Sequence, residues 1–376
     1  MPPLSRREAL QRGSLALASA ALAPLAPLAL ARRALAAPFV HTSGKSGLEP
    51  LILGTGDHRY QCIHDWLTPP APAASTSPTL AFGDTHGLAQ DAAGLIYVAH
   101  TVHPSSTKPH AVAVFAPDGS FQTAWGDALR GGAHGLDLRA ERGTEFLYHC
   151  DTNRRLVVKT DLKGETVWQA EWPKDSGEYD AKEKYCPTNV AFLPDPPGSA
   201  DAAPADLLVG DGYGSSFIHR YSADGRYLRT IIGPGKEPGQ VNCPHGLWID
   251  SRSGSPRLAV ADRGNRRIQF FSLDGTHLGF ATDGIRMPCH FKTRGDLLLV
   301  PDLESVVTLL DKDNKPVVHL GDGARDGKPS PLRGAPRADF IPGKFIHPHT
   351  AIFLHSGDIL VAEWVPIGRV TLLKRV

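Results

Sequence analysis

The run His245-Gly-Leu-Trp-Ile-Asp250, Arg257-Leu-Ala-Val-Ala-Asp262, Arg263-Gly-Asn-Arg-Arg267, Ile268-Gln-Phe-Phe271 and Asp274-Gly275 decides the fold. Its apolar segments are short, rich in β-branched and aromatic residues, and bounded by turn residues, which favours strands over helices. Asp274-Gly275 is a hairpin turn, because such a turn needs a positive φ that glycine adopts freely. The same unit can be followed along the chain. Asp118-Gly119 and Asp224-Gly225 repeat the hairpin, and Lys163-Gly164 stands in the same slot. Its opening phrase recurs as Thr85-His86-Gly87-Leu88, Ala133-His134-Gly135-Leu136 and Pro348-His349-Thr350-Ala351, with looser copies at Pro187-Thr188-Asn189-Val190 and Pro288-Cys289-His290-Phe291. Successive phrases are 48, 54, 57, 44 and 60 residues apart. A period of this size marks a solenoid, a propeller or an array.

Six repeats of three to four strands give an all-β, six-bladed β-propeller. The chain stops soon after the third strand of the last repeat, at Arg369 to Val376. The missing outer strand is expected from the N-terminal segment around Tyr60-Gln-Cys-Ile-His64, which would close the ring and remove an open sheet edge. Residues 173–184 and 321–343 are insertions between blades. Both precede an opening phrase and are expected on the face that carries the site.

The first 37 residues read as an export signal, and residues 38–376 as the propeller. Ser5-Arg6-Arg7-Glu8-Ala9-Leu10 is a twin-arginine pattern, followed by an apolar stretch from Ser14 to Ala31 and a small-residue cleavage site at Ala34-Leu35-Ala36. A bacterial protein, exported folded and located in the periplasm or secreted, is the expectation. Retention of the segment as an anchor is the alternative. The net charge is +1 with no basic stripe, which argues against a nucleic-acid partner. No other apolar segment approaches membrane-spanning length, so no membrane association is expected after signal removal. A monomer is expected. Five cysteines, an odd number, leave at least one unpaired or metal-bound, and no CxxC spacing occurs.

Numbering blades from the first phrase puts His134, His245 and His349 in blades two, four and six. Alternate blades of a six-fold ring place three imidazoles about the axis with near three-fold symmetry. Three neutral imidazoles on one side of an ion, with the other side open, is the pattern of a catalytic zinc or another divalent transition metal. Alternatively, each histidine only opens a strand and bonds neighbouring backbone. His86 in blade one is a candidate fourth ligand or an outer-sphere group. His290 is offset by one residue from the repeat, because Cys289 fills the histidine column. Either His290 or the Cys289 thiolate is a further candidate ligand, and His347 a candidate pocket residue. Tyr213 follows the strand Leu207-Leu-Val-Gly210 and is the candidate general base, provided a nearby cation lowers its pKa. Arg263 follows Asp262 and could hold a substrate carboxylate in its fork. For Arg266 and Arg267 a structural salt bridge is the simpler reading.

The blade grammar resembles that of the NHL-repeat family across nearly all of residues 38–376. A closer resemblance runs through Tyr185-Cys-Pro-Thr-Asn-Val190, Gly210-Asp-Gly-Tyr-Gly-Ser-Ser216, Arg220-Tyr-Ser-Ala-Asp-Gly-Arg226, Pro238-Gly-Gln240, Pro244-His245-Gly246 and Ala261-Asp-Arg-Gly-Asn-Arg-Arg-Ile-Gln269. This stretch is similar to the catalytic core of peptidyl-α-hydroxyglycine α-amidating lyases (peptidylamidoglycolate lyases). The resemblance implies a six-bladed propeller with zinc on His134, His245 and His349. It also implies a catalytic tyrosine at Tyr213, a substrate-binding arginine at Arg263, and cleavage of a carbinolamide. Three positions depart. His100-Thr101 stands where the family has a second arginine. Thr350 replaces its calcium-binding aspartate, so calcium is doubtful. His347 replaces a methionine. The implied activity is therefore of lyase or hydrolase type on a different small-molecule, peptide or glycan substrate. Hydrolysis of sugars or lactones is one such possibility. The rival class is a non-catalytic propeller that binds a peptide, glycan or protein partner on its loop face.

Overall fold

A computed structural model describes residues 50–70, 80–195 and 204–376. The expected export signal lies outside these residues. Six antiparallel sheets account for nearly all regular structure. Blade one runs through Thr85–Gln90, Ile96–His100, Val112–Phe115 and Phe121–Trp125. Blades two to five repeat this order, with inner strands Ala133–Glu141, Asn189–Phe192, Pro244–Asp250 and Lys292–Arg294. Blade six has Pro348–Phe353, Ile359–Glu363 and Arg369–Arg375 from the C-terminal end of the chain. Its fourth strand is His58–Ile63, which pairs Tyr60 with Arg375 and Cys62 with Leu373. A fifth strand, Ile52–Thr55, folds back on the fourth through a Gly56-Asp57 turn, pairing Thr55 with His58. This extra strand is not anticipated from the repeat, which has no fifth place. No helix among the described residues is long and apolar enough to cross a membrane.

Middle strands are buried on both faces because each blade is covered by two neighbours. Ile96–His100, Leu156–Thr160 and Val306–Leu310 are buried at every residue. That explains their continuous rather than alternating apolar pattern. Apolar clusters fill the seams between blades. Leu88, Val98, Leu360 and Val370 join blade one to blade six, and Leu208, Leu247, Val260 and Phe271 join blade three to blade four. The cysteines are all free thiols, four of them buried.

Two recurring devices aim residues at the axis. First, each histidine phrase sits on a shift of register. Pro244 pairs with Asp262 but Leu247 with Val260, and equivalent shifts occur at Ala133/Leu136, Thr85/Gly87 and Pro348/Thr350. A bulge of this kind turns a side chain out of the sheet alternation. Second, the second strand of a blade ends in a buried acceptor that catches the loop leading into the inner strand. Asp211 accepts from Cys186 N at 2.6 Å, Asp262 from Asn242 N at 2.7 Å, Asp302 from Met287 N at 2.7 Å and Glu363 from Ile346 N at 2.7 Å. In blade one His100 takes this place, its Nδ1 accepting from Gly83 N at 3.4 Å.

Candidate metal centre

The three even-blade histidines are wired alike. His134 Nδ1 lies 3.0 Å from Thr188 O, His245 Nδ1 2.9 Å from Cys289 O, and His349 Nδ1 3.0 Å from His86 O. Each carbonyl belongs to the residue in the histidine column of the next blade. A carbonyl only accepts, so each Nδ1 carries the proton and each Nε2 presents a lone pair. In blades two and four the glycine after the histidine permits this approach, while in blade six Thr350 follows His349. A Cβ on Gly135 would stand 2.3 Å from Thr188 O, and one on Gly246 2.3 Å from Cys289 O. The ring centroids form a nearly equilateral triangle of 4.9 Å (His134–His245), 4.7 Å (His134–His349) and 4.8 Å (His245–His349).

All three imidazoles are buried. Burial pushes His134 down to about 3 and holds His245 and His349 well below the usual imidazole range. They are therefore neutral at physiological pH. Two of their lone pairs meet head-on, since His134 Nε2 is 3.1 Å from His349 Nε2. Two acceptors at that separation repel unless a cation stands between them. The described nitrogens close enough together for one ion are those of His86, His134 and His349, while His245 joins them by ring position. Tetrahedral ligands about 2.0–2.1 Å from zinc lie roughly 3.3 Å apart, so the His134–His349 pair fits a divalent transition ion. The backbone carbonyls supply the outer-sphere orientation that metal-binding histidines require.

Tyr213 caps this triangle. Its hydroxyl is 3.2 Å from His134 Nε2 and 3.1 Å from His245 Nε2, while the residue as a whole is 43% exposed. Burial of the hydroxyl end pushes its pKa up to about 12, opposed by the Arg263 guanidinium. Arg263 lies over the Tyr213 ring, with Cζ 5.1 Å from the centroid, and its Nη1 is 3.5 Å from the hydroxyl and 3.9 Å from Cys289 Sγ. It has no carboxylate partner among the described residues. Its neighbours do: Arg266 pairs with Glu304 of the next blade at 2.5 Å, and Arg267 with Asp262 at 2.6 Å. The Tyr213 hairpin is braced by Asp211, which accepts from Ser215 N at 2.6 Å and from Tyr179 Oη at 2.8 Å. Tyr179 comes from the 173–184 insertion, whose role had no sequence signal beyond its position.

The structure thus brings His134, His245, His349, His86, Tyr213 and Arg263 to one end of the axis. His86 Nδ1 is 3.3 Å from His349 Nε2. His290 sits apart from the nitrogen cluster. It lines the same small cavity as the three histidines, of about 10 Å³, but its Nε2 faces Asp137 at 3.8 Å. Asp137 is held in turn by Lys292 at 2.6 Å and Asn189 at 2.6 Å. Cys289 enters through its carbonyl, and burial pushes its thiol up to about 12. His347 is turned to Leu303 O at 2.6 Å and packs near Trp364. The 321–343 insertion delivers Arg333, which stacks 3.7 Å over Trp364 and pairs with Asp84 at 2.8 Å, two residues before His86.

No family model matches the chain. One stretch is 34% identical over 92 residues to mouse peptidyl-glycine alpha-amidating monooxygenase, covering 23% of this chain and 8% of that enzyme. The chain therefore spans under a tenth of the curated relative's length. The fold is shared with solved propellers of low identity. A putative gluconolactonase superposes with a TM-score of 0.51 at 14% identity, over 81% of this chain and 94% of its own. A virginiamycin B lyase from Staphylococcus aureus gives 0.50 at 13% identity, over 84% and 100%. A streptogramin B lyase gives 0.50 at 10%, over 79% and 95%.

Proposed function

We propose that this chain is a metal-dependent enzyme of lyase or hydrolase type, with its centre on His134, His245 and His349. The observation that carries the reading is the convergence of neutral imidazole lone pairs, with their tautomers set by the carbonyls of Thr188, Cys289 and His86. Zinc or another divalent transition metal suits an all-imidazole set. When bound, such an ion supplies a Lewis acid that polarises a substrate oxygen or acidifies water. Tyr213 keeps its proton at neutral pH and holds it within reach of His134 and His245, where it can donate to a leaving group or return as a base once a cation lowers its pKa. Arg263 offers an uncompensated guanidinium for a substrate carboxylate. The partial likeness to mouse peptidyl-glycine alpha-amidating monooxygenase supports kinship with part of that enzyme. The replaced positions His100, Thr101, His347 and Thr350 favour a substrate other than an amidated-peptide precursor. The twin-arginine pattern supports export to the periplasm, which cell fractionation with and without Arg6 and Arg7 would test.

Elemental analysis of purified protein decides the central point. About one transition metal per chain is expected, lost in a His134→Ala/His245→Ala variant that keeps its β-sheet circular dichroism. A folded wild-type protein that holds no metal and takes none up would overturn the reading. Chelator-sensitive turnover of a panel of carbinolamides and lactones would then assign the reaction.

A further inference from the structure

His86 is the imidazole that a three-histidine centre leaves over. It stands in blade one, between His349 of blade six and His134 of blade two. Its ring centroid is 4.5 Å from that of His349 and 4.7 Å from that of His134. The ligand-capable nitrogens of His86, His134 and His349 all lie within 4.8 Å of one another. The side chain is 6% exposed.

Two roles compete for its Nδ1. As a hydrogen-bond donor it would aim N–H at His349 Nε2. The 3.3 Å separation is longer than the usual N–H donor range of about 2.7–3.2 Å. That bond would also leave the facing lone pairs of His134 and His349 unrelieved at 3.1 Å. As a ligand, Nδ1 would turn its lone pair to the point that His134 and His349 Nε2 face. The separations of 3.1 Å and 3.3 Å then match neighbouring corners of a ligand set whose edge is about 3.3 Å.

We propose that His86 is a fourth metal ligand, bound through Nδ1, so that the axial centre is a four-imidazole site. The proposal rests on the reading of His134, His245 and His349 as ligands. It also assigns the open side. Three odd-blade positions separate the three even-blade histidines. Blade one fills its sector with His86. Blade three fills its sector with Thr188 and the Tyr213 hydroxyl. Blade five offers the small Cys289, with Arg263 3.9 Å from its sulfur, and His290, whose Nε2 is turned away to Asp137. The exogenous ligand therefore approaches through the blade-five sector, beside Arg263. Four imidazoles contribute no negative charge, so the ligand class that balances a divalent ion is an anionic oxygen, such as a carboxylate.

The test is metal-stripped protein titrated with Co(II), read by its visible d–d absorption and by the affinity from the titration. Removing a true ligand in His86→Ala should change the band positions and intensity. It should also weaken Co(II) by more than the about 10–100-fold typical of outer-sphere changes. His86→Asn separates the two roles, because its amide can still donate to His349 but cannot replace an imidazole ligand. A wild-type spectrum in His86→Ala, or its recovery in His86→Asn, would overturn the proposal. If wild-type protein itself takes up no Co(II), the three-histidine reading fails first, which is a different result.

Discussion

Blade four and blade one stand across the axis from each other and are built on one repeat, yet they serve the centre differently. In blade four the bulged His245 sends Nδ1–H to the next blade and Nε2 to the axis, and the strand behind it ends in the charged hub Asp262. In blade one His86 gives its carbonyl to His349 and turns Nδ1 toward the cluster, and the neutral His100 replaces the aspartate. Burial holds His100 down at about 3, so it accepts as an uncharged ring. The repeated phrase therefore fixes where a histidine sits. Which nitrogen it offers depends on the neighbouring blade.

The largest expected stability effect is on the blade-four side. Asp262 is fully buried and accepts from Asn242 N, Asn265, Arg267 and Gln269. Asp262→Ala leaves Arg267 without its buried partner and should cost about 3–5 kcal/mol in chemical denaturation. The matching change in blade one, His100→Ala, removes a neutral acceptor and should cost about 1–3 kcal/mol. Equal losses would break the contrast between charged and neutral hubs.

Gly246→Ala tests the wiring itself. Its methyl would meet Cys289 O, displace the carbonyl that orients His245, and weaken metal binding by about 10–100-fold in a competitive chelator titration. A smaller, pH-dependent effect concerns Asp211 under the Tyr213 hairpin. Burial pushes its carboxyl up to about 6. The folded chain then binds this proton more tightly than the unfolded chain does. Its contribution to stability is full below the ordinary carboxylate pKa of about 3.9 and is lost as pH rises through about 6. Denaturation of wild type against Asp211→Asn should show this slope between those values only in wild type. The smallest effect expected is Cys289→Ala. Metal content should not change, because the carbonyl and not the thiol touches His245; a loss of metal would instead make the thiolate a ligand.

Much of the fold and part of the site are legible in the sequence. Periodic phrases, Asp-Gly turns and short β-branched runs carry the six blades, because they are local consequences of strand and turn chemistry. The strand around Tyr60 followed from the need to cover an edge. Its partner Ile52–Thr55 has no place in the repeat, although Leu51-Ile-Leu-Gly-Thr before Gly56-Asp57 carries a hairpin signal of its own. The histidine column was visible, but the carbonyl partners were not. They arise from how closely adjacent blades approach, which no single repeat encodes. For the same reason Asp137 and Lys292, brought together from blades two and five, give no sequence pattern that pairs them or that would set His290 beside them.

The closure of blade six by His58–Ile63 has a consequence for the order of assembly. That pairing joins opposite ends of the described chain, so its loop-closure entropy is the largest in the fold and its contacts are the least local. The bond from His349 to His86 O crosses the neighbouring seam, between blade six and blade one, which completes the same ring. A growing or half-folded chain can hold His134 and His245 in place while His349 is still adrift. On the proposed reading of the histidines as metal ligands, high-affinity uptake would be the last event of folding, and the rate at which refolding protein captures metal would serve as a clock for the closing of the ring.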